Sequence, residues 1–233
     1  MIQHVNGADI WYEKTGEGTP ILLLHGNGES HRIFNILTSQ LKDSYTVYAL
    51  DSRSHGKSSK SKELHYDLMA EDTAQFIMAL ELNKPMLYGF SDGGILGLLI
   101  ASKYPDLLSK MVISGANTRP ETSRCGWDML FKILYFFSRS QKIKMMLTEP
   151  HITAGELRKI KIPVLVLAGE KDIIREEETR FIAGNIPGAE LKILKMETHS
   201  SYVVNSPKLY HEMAGFLVKD REILDTPVDK SDR

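Results

Sequence analysis

The sequence predicts an α/β fold: a mainly parallel central sheet with helices on both faces. Three observations predict it. Short apolar runs alternate with longer helical patterns along the 233 residues, the signature of repeated strand–helix units. Several runs, such as ILLL at 21–24 and VLVLA at 164–168, are apolar without interruption, as expected of strands buried on both faces. Charged residues make up 25% of the chain and the net charge is −1, a composition that folds rather than stays disordered.

Taken in order, the chain opens with a hairpin. Asn6-Gly7 is a type I′ turn signal between Gln3–Val5 and Ala8–Glu13. A glycine-rich loop at Thr15–Pro20 follows. Strands are then expected at Ile21–Leu24, Thr46–Leu50, Pro85–Tyr88, Met111–Ser114 and Pro163–Ala168, with a more weakly alternating one at Leu191–Met196. Helices fit Ile33–Leu41, Tyr66–Leu82, Gly93–Tyr104, Glu176–Asn185 and Pro207–Val218. Residues 118–152 break this rhythm. They hold Trp127, Phe131, Tyr135, Phe136, Phe137, Met145 and Met146, too long and too apolar for a plain crossover. We read them as a short helical cap inserted over one end of the sheet, its aromatic and methionine side chains lining an apolar pocket. The expected organisation is a core of 1–117 and 153–219, a cap of 118–152 and a polar tail of 220–233.

Composition also narrows function. A near-neutral charge gives no basic footprint for nucleic acid. The single cysteine, Cys125, rules out an internal disulfide and a thiolate-rich zinc site, and is expected to act as a small apolar filler. No HExxH occurs, and no metal is expected. The N-terminal stretch lacks a basic region followed by an apolar one, and no apolar run is long enough to span a bilayer. A cytoplasmic protein acting on a small molecule, without nucleic acid or membrane insertion, is the expectation; the oligomeric state stays open.

The chemistry concentrates at Gly89-Phe90-Ser91-Asp92-Gly93-Gly94. This is G-x-S-x-G directly after a buried strand and directly before a helix, the context such a motif requires. A serine hydroxyl is a weak nucleophile and must project from a sharp turn to meet both substrate and base. Glycines two residues either side leave room for the crowded backbone. The helix that follows directs free N–H groups at an anion forming there.

Together with HGNG at 25–28, DSRSHGKS at 51–58, GEKD at 169–172 and a histidine at 199, this motif makes the chain resemble the α/β-hydrolase superfamily from Ile2 to about Val218. The resemblance implies a triad in the chain order Ser91, Asp172, His199. His199 would be the general base, and Asp172 would hold its tautomer and stabilise the imidazolium. Glu170, on the same loop, competes for the acid role. The family's other acid position is filled by Asn117. The resemblance further implies two oxyanion donors, the backbone N–H groups of Asn27 and Asp92. His25 and His55 are expected to hold loops together, and Ser54 stands where glycine is usual.

Asp92 has two readings. Its carboxylate is an acidic first-turn residue that favours the helix dipole, or it pairs with an ammonium group on the substrate. With Trp127 and Phe131 it forms the expected substrate-contacting set. The function expected is a cofactor-independent serine hydrolase that cleaves a small ester through an acyl-enzyme on Ser91. A triad-based hydrolase of carbon–carbon bonds, or a low-turnover ligand receptor of the same fold, are the alternatives.

Overall fold

A computed structural model describes residues 1–124 and 126–218. The expectations for Cys125 and for the tail at 220–233 lie outside the described residues.

Eight described strands form one sheet. They are β1 (Ile2–Val5), β2 (Ala8–Thr15), β3 (Thr19–Leu24), β4 (Tyr45–Leu50), β5 (Met86–Phe90), β6 (Lys110–Ser114), β7 (Val164–Lys171) and β8 (Glu190–Thr198). The spatial order is β1-β2-β4-β3-β5-β6-β7-β8. The pairs β1/β2 and β2/β4 are antiparallel; every later pair is parallel. At the hairpin, Asn6 (φ 48°) and Gly7 (φ 71°) both take the left-handed conformation that a type I′ turn demands.

The uninterrupted apolar runs have a direct cause. Along β3, Leu22 and Leu24 pack into one core, whereas Ile21 and Leu23 pack into the other. All four are fully buried. The first core is closed by α2 (Tyr66–Ala79) and α3 (Asp92–Lys103), the second by α1 (Asn35–Leu41) and α8 (Lys208–Val218). A strand covered on both faces has no polar alternation to show.

Strand order reverses around β3, which lies between β4 and β5. The loops leaving the C-terminal ends of β3 and β5 therefore emerge side by side. Such a switch point is where open α/β sheets build their sites. Between β6 and β7 run α4 (Trp127–Ser138), α5 (Gln141–Thr148) and α6 (Ala154–Leu157). The start of α6 is set by a capping box in which Thr153 accepts from the Glu156 N–H and Glu156 accepts from the Thr153 N–H. Helix α7 (Glu176–Asn185) follows β7. Its buried Glu178 accepts from both the N–H and the hydroxyl of Thr118, pinning the exit of β6. No helix among the described residues is long and apolar enough to cross a membrane.

Candidate active site

Ser91 sits between β5 and α3 in a conformation that few L-residues adopt, φ 52° and ψ −114°. Such strain costs about 1–3 kcal/mol and persists only where the surroundings impose it. Here they do. Ser91 N–H donates to Ser114 O at 2.8 Å, and Gly93 N–H donates to His25 O at 3.1 Å. The flanking glycines are required by contact. A Cβ on Gly89 would lie 2.2 Å from Gly93 O, and one on Gly93 would lie 2.1 Å from Leu24 O.

Three side chains from three loops meet at this turn. His199 Nε2 lies 3.1 Å from Ser91 Oγ, and His199 Nδ1 lies 2.6 Å from Asp172 Oδ1. A carboxylate only accepts, so Nδ1 carries the proton and Nε2 is left to accept from the serine hydroxyl. Asp172 is buried, and its Oδ1 also accepts from Ile174 N–H at 2.9 Å, which orients the carboxylate toward the imidazole. Gly115, just past β6, makes room for the pair. Its φ is 60°, and a Cβ there would stand 2.7 Å from His199 Cε1. Glu170 points elsewhere: it is exposed and accepts from Met196 N–H at 2.9 Å. Asn117 lines the cleft and bonds to Arg119 O.

The loop after β3 runs through His25-Gly26-Asn27-Gly28-Glu29. Glu29 N–H donates to Gly26 O at 3.3 Å, and a Glu29 carboxylate oxygen accepts from Gly26 N–H at 2.9 Å. Gly28 takes φ 74° at the third position of this turn, where glycine is favoured. Burial raises the Glu29 carboxyl above its usual pKa. His25 is buried, donates to Gly26 O and accepts from Ser52 N–H. Burial lowers its pKa to about 4, so it stays neutral and holds the loop. His55 bonds to Arg53 O and is likewise lowered, to about 3. Ser54 adopts φ 63°, the conformation for which glycine is suited, and accepts from Ser61 N–H at 2.9 Å.

Asp92 is buried, 4% exposed, and both its oxygens are engaged. Tyr66 Oη donates to Oδ1 at 2.8 Å and Asn27 Nδ2 donates to Oδ2 at 2.9 Å. Desolvation raises its carboxyl to a pKa of about 6 against the pull of these two donors. Tyr66 and Glu29 are the side chains that sequence reasoning missed. For Glu29 a signal existed, since it closes a Gly-x-Gly turn three residues after Gly26. For Tyr66 there was none: its tie to the site runs across the fold from the start of α2.

Two cavities meet at Ser91 and His199. One is a narrow cleft of about 50 Å³ whose lining includes Tyr66, Asp92, Asn117 and Phe131. The other, about 300 Å³, is bounded by Asn27, Glu29, Phe90, Leu134 and Ile143. Phe131, Met146 and Ile173 border both. Helices α4 and α5 therefore stand over the C-terminal ends of the strands. Trp127 departs from the expectation of substrate contact. It is 40% exposed, borders neither cavity and packs on Phe131 with ring centroids 6.0 Å apart. Phe131 lies one turn further along α4, on the face that borders both cavities. Among the described residues, no cluster of three His, Cys, Asp or Glu side chains is arranged to hold a metal ion.

A family model for the alpha/beta hydrolase fold matches residues 19–139. The chain belongs to the α/β-hydrolase family. The match spans the loop after β3, the serine turn and α4. Relatives extend it over most of this hydrolase. The human serine hydrolase BPHL is 30% identical over 85% of this chain and 79% of its own length. The AB hydrolase superfamily protein YisY of Bacillus subtilis is 30% identical over 89% of this chain and 94% of its own. Among solved structures, an esterase from Exiguobacterium antarcticum superposes with a TM-score of 0.80 at 22% identity, covering 95% of this hydrolase and 98% of that chain.

Proposed function

We propose that this α/β hydrolase cleaves a small carboxylic ester, with Ser91 as nucleophile, His199 as general base and Asp172 as the group that orients and stabilises the imidazolium. The observation that carries the reading is the continuous chain of hydrogen bonds from Asp172 through His199 to Ser91, at 2.6 and 3.1 Å. Ser91 Oγ attacks the carbonyl while its proton passes to His199 Nε2. The tetrahedral oxyanion is stabilised by the backbone N–H groups of Asn27 and Asp92, neither of which has a hydrogen-bond partner among the described residues. Collapse of that intermediate expels the alcohol, which takes the proton from His199. Water, deprotonated by the same imidazole, then attacks the acyl-enzyme and releases the acid.

Cavity size supports a small substrate. About 300 Å³ lies at the lower end of the range for ligand pockets, and Phe131, Leu134 and Ile143 make its wall apolar. We assign Phe131 to substrate contact and leave Trp127 as its packing support. Acid-quenched reaction with p-nitrophenyl acetate, followed by peptide mapping, tests the mechanism. An acetyl group on the Ser91 peptide is expected. Steady turnover with no acyl group on Ser91 at any time would contradict it.

A further inference from the structure

We propose that the side chains of Asp92 and Asn27 form a strut that sets the spacing of the two oxyanion donors, the backbone N–H groups of the same two residues. The proposal rests on the assignment of Ser91 as nucleophile and goes beyond it.

An oxyanion hole works only if its donors converge on one point, and a misplacement of about 1 Å costs on the order of a hundredfold in rate. In this fold the donors come from separate loops, one after β3 and one after β5. Among the described residues the backbone ties them through Gly93 N–H to His25 O. The second tie is the bond from Asn27 Nδ2 to Asp92 Oδ2 at 2.9 Å, which joins the very residues whose N–H groups must converge. Each end of the strut is braced. Tyr66 Oη holds the other carboxylate oxygen at 2.8 Å, and the Tyr66 N–H is itself held by Glu149 Oε2 at 3.0 Å. Asn27 lies in the turn that Glu29 closes on Gly26, and its amide also reaches Lys142 O on α5 at 3.4 Å.

The other readings of Asp92 explain less. A helix-start carboxylate needs neither burial nor two side-chain donors. Each oxygen of Asp92 already accepts from a side-chain donor, so the carboxylate is fixed between the two loops before any substrate binds, whatever its remaining lone pairs then accept. A buried carboxylate with two neutral donors is what a rigid link between loops requires.

Asn27→Ala and Asp92→Ala keep both backbone N–H groups and remove the strut. The assay measures kcat and KM of the full chain with p-nitrophenyl acetate and with glycine p-nitrophenyl ester. Each single variant is expected to lose roughly ten- to a hundredfold in kcat on both esters, with KM nearly unchanged. The double alanine variant should be no slower than the slower single. The exchange variant, Asn27→Asp with Asp92→Asn, rebuilds the bond with donor and acceptor reversed and should recover most of the loss. A purely structural role for either side chain would not give that rescue. Wild-type kcat in Asn27→Ala, loss confined to the glycine ester, or additive losses without rescue would each overturn the strut. Should Asp92→Ala fail to fold, Asn27→Ala and the exchange variant decide alone. Ser91→Ala in the same assay separates the two levels. If it is inactive while Asn27→Ala is unimpaired, the strut alone is wrong; if it is active, the nucleophile assignment falls and the strut with it.

Discussion

A carboxylate with a pKa of about 6 is a group the fold strains to keep charged, and Asp92 shows what that implies for stability. Its ordinary pKa of 3.8 is raised on folding, chiefly by desolvation. A group whose pKa is higher in the folded state lends its full stability below its unfolded value and loses it as pH rises through the folded one. Between about pH 4 and pH 6 the native state therefore gives up about 3 kcal/mol at this site, by the conversion of roughly 1.4 kcal/mol per unit. Asp92→Asn removes the charge and with it this loss. Urea unfolding of both proteins from pH 4 to pH 7.5 measures the difference, since titrations remote from Asp92 cancel; Glu29, whose carboxyl the Asp92 charge helps to raise, is the neighbour that contributes beside it. The stability of the variant relative to wild type should climb by up to about 3 kcal/mol across that interval and then level off. A difference that stays flat with pH would mean the carboxylate is not desolvated as the structure places it. At this same scale the three side chains that meet at the serine turn, Ser91, Asp172 and His199, could be picked out in the sequence by their positions after strands. The partners of Asp92 could not, because Tyr66 reaches it from 26 residues away.

Elements were legible where one physical requirement dominates a segment. The buried parallel strands read directly from uninterrupted apolar runs, and the hairpin from Asn6-Gly7. Helix α6 was missed although its capping box is written in Thr153 and Glu156, because four residues carry no periodicity. The α4–α5 segment shows the opposite failure. All its aromatic and methionine side chains were expected to face a pocket. A helix turns through 3.6 residues, so only one face can look inward. Phe131 and Leu134 do, while Met129, Ile133, Phe136 and Phe137 are exposed at 68%, 48%, 61% and 79%. Composition cannot tell the two faces of a helix apart when both are apolar. Elements are also held by a polar link between the 51–58 loop and α2 that the sequence reading did not anticipate. Arg53 donates to Asp72 on α2 through Nε at 2.7 Å and Nη2 at 2.5 Å, and to Asn6 O of the hairpin at 2.8 Å. Both charged side chains are buried, at 7% and 4% exposure. Removing one partner leaves an uncompensated buried charge, which costs about 3–5 kcal/mol. Asp72→Ala should lower stability by that amount in denaturant unfolding. A change below about 1 kcal/mol would show the pair to be solvated.

For the molecule as a whole, the reversal of strand order around β3 does most to create the site. It places the loop after β3 beside the serine turn after β5, while β7 and β8 bring Asp172 and His199 from further along the sheet. Alternating strands and helices told the fold class but not the order of strands, which depends on long-range pairing that no local pattern encodes. The convergence of Ser91, Asp172 and His199 could be anticipated from sequence because all three sit at strand ends. The shape of the cavity above them could not, because α4 and α5 build it from packing alone. The central claim is that Ser91 is the nucleophile of this hydrolase. It is tested most directly by steady-state kcat for p-nitrophenyl acetate in wild type and Ser91→Ala, with a melting curve for each. The account predicts a variant with unchanged or higher melting temperature, since the strained serine turn is retained, and a kcat lower by at least about a thousandfold. A folded Ser91→Ala protein turning over the ester at close to the wild-type rate would contradict it.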